Sequence, residues 1–114
     1  MKSRFLAVAF IPLLLLPLAG QAGSPKVGAY QPAELEKPEV KAAAEFAVQE
    51  QSKQEKTPIA LQTMVKAHEQ VVAGMNYRLT LSVIKDSKPQ SADAVVFRGL
   101  DSHYELKSWQ WMKP

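Results

Sequence analysis

Asp101, Ser102 and His103 supply the three residue types of a nucleophilic triad, set side by side. Adjacency works against that chemistry, because nucleophile, base and orienting acid must converge from separated points, which neighbours in a tight turn cannot do. His68 alternates with polar residues on a strand pattern and reads as a solvated side chain. With no cysteine and two histidines 35 positions apart, there is no metal-ligand spacing. The expectation is therefore a protein that is not an enzyme, with no catalytic residue, metal or cofactor.

Recognition chemistry is the stronger signal, and it lies in Gln70-Val71-Val72-Ala73-Gly74. Apolar, alternating segments run into and out of this stretch, and it ends on a glycine, which marks a hairpin tip. Tips usually carry Asn, Asp, Gly and Ser, whereas this one offers two adjacent β-branched apolar side chains and no charge. Such a tip is suited to entering an apolar groove.

The elements that must hold the tip follow from the patterning. Val40, Ala43, Ala44, Ala47 and Val48 fall on one face of a helix that Pro38 opens and Thr57-Pro58 stops, with Phe46 on its flank. The small alanines let the helix axis lie close to a sheet. From Ile59 the period becomes two: Ile59, Leu61, Thr63, Val65, Ala67 and Val71 share one face, with Gln62, Lys66, His68 and Gln70 opposite. Met75, Tyr77, Leu79, Leu81 and Val83 continue this on a second strand. Asp86 to Gln90 reads as a turn, Ala92 to Arg98 as a third strand, Gly99 to His103 as a tight connection, and Tyr104 to Trp111 as a fourth strand. The fold class expected is α+β, an antiparallel sheet of four to five strands wrapped around one helix.

Residues 1–22 stand apart. Lys2 and Arg4, the apolar run Phe5 to Leu18, and small residues at Gly20 and Ala22 read as a secretory signal cleaved after Ala22, with Ala19 and Gly20 as alternative sites. The mature protein of about 92 residues is then secreted or periplasmic, with no membrane attachment. Losing Lys2 and Arg4 from 14 basic residues leaves 12 against 11 acidic ones, a net charge of +1, so the calculated pI of 9.2 owes much to the signal. A near-neutral domain without a basic run excludes nucleic-acid binding. An exported chain without cysteine must rest on its apolar core alone. Residues 23–37, broken by Pro25 and Pro32, form an extended N-terminal arm that can add a short edge strand around Val27 to Tyr30, and residues 38–114 form the domain.

On Gln70 to Gly74, on Glu45-Phe46-Ala47-Val48 in the helix and on Gly28 in the arm, the whole mature chain resembles the cystatins, inhibitors of papain-like cysteine proteases. The resemblance implies a reversible, competitive inhibitor whose partners are papain-like, cathepsin-like cysteine proteases. In that family a wedge of the N-terminal arm, the first hairpin loop and a second hairpin loop enters the protease cleft. Gly28 would be the arm's pivot, and Gln70, Val71, Val72, Ala73 and Gly74 the first loop. The second loop departs from the family pattern: counting 26 residues on from Gly74 places Gly99 and Leu100 where Pro and Trp are expected. Trp109 is the competing assignment, set aside because it lies within the last strand.

The alternative is an exported module of the same architecture that binds a peptide or protein without inhibiting a protease. A legumain-directed loop is discounted, since Gln51 to Thr57 contains no Asn. A tip with two β-branched residues would relax if the strands ran on straight, so both a monomer and a domain-swapped dimer are open.

Overall fold

The computed structural model describes residues 28–113; the expected signal segment 1–22 and the start of the arm lie outside them. The elements are β1 (Tyr30–Pro32), α1 (Pro38–Glu55), β2 (Ile59–Val72), β3 (Gly74–Lys85), β4 (Lys88–Arg98) and β5 (Tyr104–Trp111). The five strands form one antiparallel sheet in the order β1-β2-β3-β4-β5, with α1 across one face. This is the expected class and architecture.

Pro38 opens α1, and Glu39 puts negative charge on the positive end of its dipole. At the other end Lys56 is left-handed (φ 56°), and the N–H groups of Lys56 and Thr57 return to the carbonyls of Lys53 and Ser52, closing the helix before Pro58. Val40, Ala43, Ala44, Ala47 and Val48 are buried, as their spacing predicts. They meet Ala67, Tyr77, Leu79, Leu81, Val83, Ala94 and Val96 from the sheet in one core. Because three of the five helical contacts are methyl groups, the sheet can approach the helix closely and wrap it.

Three expectations need correction. In β2 the period of two fails: register shifts fall between Leu61 and Thr63 and between Met64 and Lys66. Each extra residue turns the following side chains over, so Met64 packs on the core, while Thr63 is exposed and Val65, expected inside, is 55% exposed. Second, the turn after β3 is Asp86-Ser87 alone, both residues with positive φ, and β4 begins at Lys88 rather than Ala92. Pro89 is tolerated there because β5 pairs with β4 only from Ala92 onward, leaving that end of β4 as an edge. Third, the arm's strand is Tyr30–Pro32, slightly later than expected, paired with His68 to Gln70.

An anchor that no sequence pattern announced closes the far end of the molecule. Glu55 accepts hydrogen bonds from Gln51 Nε2 (2.6 Å), Lys85 Nζ (2.6 Å) and Trp111 Nε1 (2.9 Å), so one carboxylate joins the end of α1 to β3 and β5. Beside it, the Ile59 N–H donates to Ser52 Oγ (2.9 Å), fixing where β2 leaves the helix.

Candidate functional site

The opposite end of the sheet carries the sequence-predicted residues, and each is positioned by the strand register. Val71 pairs with Met75 and Val72 with Gly74, so Ala73 alone forms the tip of the first hairpin. Ala73 is exposed; Val71 and Val72 are half-buried. No residue from Val71 to Met75 carries charge. Gly74 has φ 118°, a conformation that favours glycine, and its Cα faces the Phe97 ring and the Arg98 backbone.

The arm is bonded to this hairpin rather than lying loose beside it. The Gly28 N–H donates to the Val71 carbonyl (3.2 Å), Gln70 Nε2 donates to the Gly28 carbonyl (3.0 Å), and the Ala33 N–H donates to the Ala67 carbonyl (2.9 Å). Gly28 itself sits at φ 87°. On the outer side Arg78 lies over the Tyr30 ring, 5.5 Å from its centroid.

The second loop follows from the end of β4. Arg98 pairs with Met75, and so the Gly99 to His103 connection leaves the sheet next to the first hairpin. The Ser102 N–H donates to the Gly99 carbonyl and the Gly99 N–H to the His103 carbonyl, both at 2.9 Å, with Ser102 left-handed (φ 69°). Leu100 stands at the tip, 85% exposed, the most exposed large apolar side chain among the described residues. Asp101 clasps the loop: Oδ1 accepts the His103 N–H (3.1 Å) and Oδ2 lies 2.9 Å from His103 Nδ1. The hydrogen bond from His103 holds the Asp101 carboxyl below the usual carboxylate range, and Asp101 in turn raises the His103 imidazole. Ser102 has no bond to the imidazole; its hydroxyl lies 3.5 Å from the Arg98 guanidinium, so these residues make turn contacts and not a nucleophile and base.

Gly28, Gln70 to Gly74, Gly99 and Leu100 are therefore brought to one end of the sheet. Trp109 is not: it lies within β5, packs against the core, and meets Trp111 edge-on at 5.3 Å. Sequence reasoning missed Asn76, Phe97 and Arg98. Asn76 was legible in principle, since a tip at Ala73 sets residue 76 opposite residue 70. What the arrangement can do is fill a groove: three adjacent, mostly uncharged projections, two of them tied together by hydrogen bonds.

Residues 33–112 match the family model SQAPI, described as aspartic acid proteinase inhibitor. The chain is 35% identical over 82 residues to cysteine proteinase inhibitor 5 of Arabidopsis thaliana, covering 71% of this chain and 66% of that protein. It is 38% identical over 71 residues to cysteine proteinase inhibitor 1 of Actinidia chinensis var. chinensis, covering 61% of each. The chain thus spans less than two thirds of the length of these curated relatives. Among solved structures it resembles the salivary cystatin of the soft tick Ornithodoros moubata, with a TM-score of 0.66 and 19% identity over 75% of this chain and 98% of that one. It also resembles dimeric human cystatin F, with a TM-score of 0.66 and 15% identity over 82% of this chain and 94% of that one. At these identities the structural likeness speaks to the fold.

Proposed function

This chain belongs to the cystatin family, and on that premise we propose that the mature protein is a reversible, competitive inhibitor of papain-like, cathepsin-like cysteine proteases. The observation that carries the proposal is the gathering of Gly28, the Val71 to Gly74 tip and the Leu100 tip at one end of a rigid sheet. A hairpin held by both its strands fills a substrate groove with little further loss of entropy, and it places no carbonyl in line with the nucleophile, so it blocks without being cut. The names of the plant relatives support the same target class. The acting species is a monomer, exported after cleavage following Ala22; mass spectrometry of exported material should find Gly23 at its N-terminus, and a retained Met1 would refute the cleavage.

Papain inhibition tests the function directly. Val72→Asp should cost roughly 2–4 kcal/mol of affinity, because an unpaired carboxylate would enter a desolvated groove. Its melting temperature should hold, since Val72 lies outside the core. Equal inhibition by variant and parent would rule out the hairpin as the wedge.

The description of the matching family model favours a second reading, inhibition of an aspartic proteinase. Pepsin assayed beside papain separates the two, and inhibition of pepsin alone would replace the first reading. A folded chain that inhibits neither enzyme would leave a binding module of cystatin architecture.

A further inference from the structure

Gln70, Gly28 and Asn76 form a hydrogen-bonded chain whose polarity is fixed from one end. The Gly28 carbonyl can only accept, so the part of the Gln70 amide 3.0 Å from it is the NH2 group. Gln70 Oε1 then points the other way, and Asn76 Nδ2 donates to it at 2.7 Å. Among the described residues no other side chain donates to that oxygen. The Gly28 N–H donates to the Val71 carbonyl, so both polar groups of Gly28 are held by Gln70 and Val71. Among the described residues no other hydrogen bond reaches Gly28; a Cβ built there would meet no atom within 4 Å, and its φ of 87° is one that other residues seldom adopt.

We infer that Asn76, on β3 and outside the projections of the wedge, is a positioning residue for the arm: its NH2 group orients the Gln70 amide so that Gln70 grips Gly28. The inference rests on the proposed function and deepens it, because it makes the arm's share of inhibition depend on a side chain opposite Gln70. Asn76→Asp keeps the shape and removes the donor. An ionised carboxylate facing Gln70 Oε1 sets acceptor against acceptor, and turning the Gln70 amide over would only present its oxygen to the Gly28 carbonyl. Near pH 4 the new carboxyl takes up a proton and can donate again.

The test uses the full mature chain with papain. Asn76→Asp should raise the dissociation rate about five- to tenfold over the parent near pH 7, the size expected for one lost hydrogen bond, and the ratio should shrink toward one near pH 4. Gly28→Pro removes the Gly28 N–H and cannot take the observed φ, so in that background Asn76→Asp should add about twofold or less. Protection of the Gly28 amide against hydrogen exchange should fall below the parent's in Asn76→Asp at neutral pH and return to the parent's value when both are compared near pH 4. An unchanged dissociation rate, a full effect in the Gly28→Pro background, or a Gly28 amide as protected as in the parent would overturn the inference. If the parent fails to bind papain, the proposed function falls, while exchange at Gly28 still decides whether Asn76 positions the arm.

Discussion

The carbonyl oxygen of Arg98 lies 2.4 Å from the point where a Cβ on Gly74 would sit, and the Phe97 ring lies 3.0 Å from it. The first hairpin and the root of the second loop are thus in backbone contact, with no room for a side chain between them. Gly74 serves more than the turn: it lets two of the three projections behave as one body.

Gly74→Ala should therefore destabilise the domain by about 1–3 kcal/mol, from the strained φ together with a clash that only backbone movement relieves. For a domain of this size each kcal/mol lowers the melting temperature by roughly 4–8 °C. Thermal denaturation checks this, and a melting temperature within about 2 °C of the parent would contradict the close approach.

Leu100→Trp should tighten papain inhibition, because a larger ring at an 85% exposed tip buries more apolar area on the enzyme. The gain can reach about 1 kcal/mol, nearly tenfold in dissociation constant. Trp109→Ala should instead lower stability by roughly 2–3 kcal/mol, since that side chain packs on the core from within β5. Inhibition constants and melting temperatures of the two variants, side by side, decide which residue faces the protease. An inert Leu100→Trp beside a folded but inactive Trp109→Ala would reverse the assignment.

Glu55 should make the domain acid-sensitive. Its carboxyl is held below the usual range first by the Lys85 hydrogen bond and then by Gln51, against a smaller opposing effect of burial, with Trp111 adding to the lowering. A carboxyl lowered in the folded state contributes stability above its unfolded value of about 4.3, and loses it as the pH falls through the folded value. Glu55→Gln should cost about 1–2 kcal/mol at pH 7 and lose less than the parent on acidification. Urea midpoints at neutral and acid pH measure this; parallel losses in parent and variant would exclude Glu55 as the source.

The Asp101–His103 clasp should be strongest in mild acid. His103 is raised, so its contribution is complete below its unfolded value of about 6.5 and disappears as the pH rises through the folded value. Asp101 is lowered, so its contribution holds above about 3.9 and is lost as the pH falls through the folded value. NMR titration should place the His103 imidazole above the unperturbed value, and Asp101→Asn should return it. A His103 titration indifferent to Asp101→Asn would show that the clasp does not form in solution.

The helix was legible because a single stripe of Val and Ala at 3.6-residue spacing decides which face is buried. The tip was legible because Gly74 follows two β-branched residues where polar ones are usual. β2 was misread where two extra residues break its alternation: Leu61 and Ala67 face the core as expected, but between them Met64 does so in place of Thr63 and Val65, which a strict period of two selects. The turn was placed correctly but read too long, Asp86 to Gln90, because Asp86-Ser87 takes two left-handed residues without the glycine that usually marks so tight a turn. Glu55, Lys85 and Trp111 lie too far apart along the chain for any local pattern to join them. The arm's bonds to Gln70 and Val71 likewise exist only once β1 is paired.

Because the order of strands across the sheet is also their order along the chain, each strand from β2 onward finds its partner in the next segment. Closing Asp86-Ser87 brings Lys85 to Lys88, and each later rung back to Met75 and Arg98 forms beside one already made, with almost no additional loop to close. The polypeptide can thus zip outward from that turn on the microsecond scale of hairpins, without waiting for the arm to pair. Sequence changes at Asp86 and Ser87 should then slow folding, whereas changes in β1 should chiefly hasten unfolding, so kinetic persistence and speed of assembly reside in different parts of the chain.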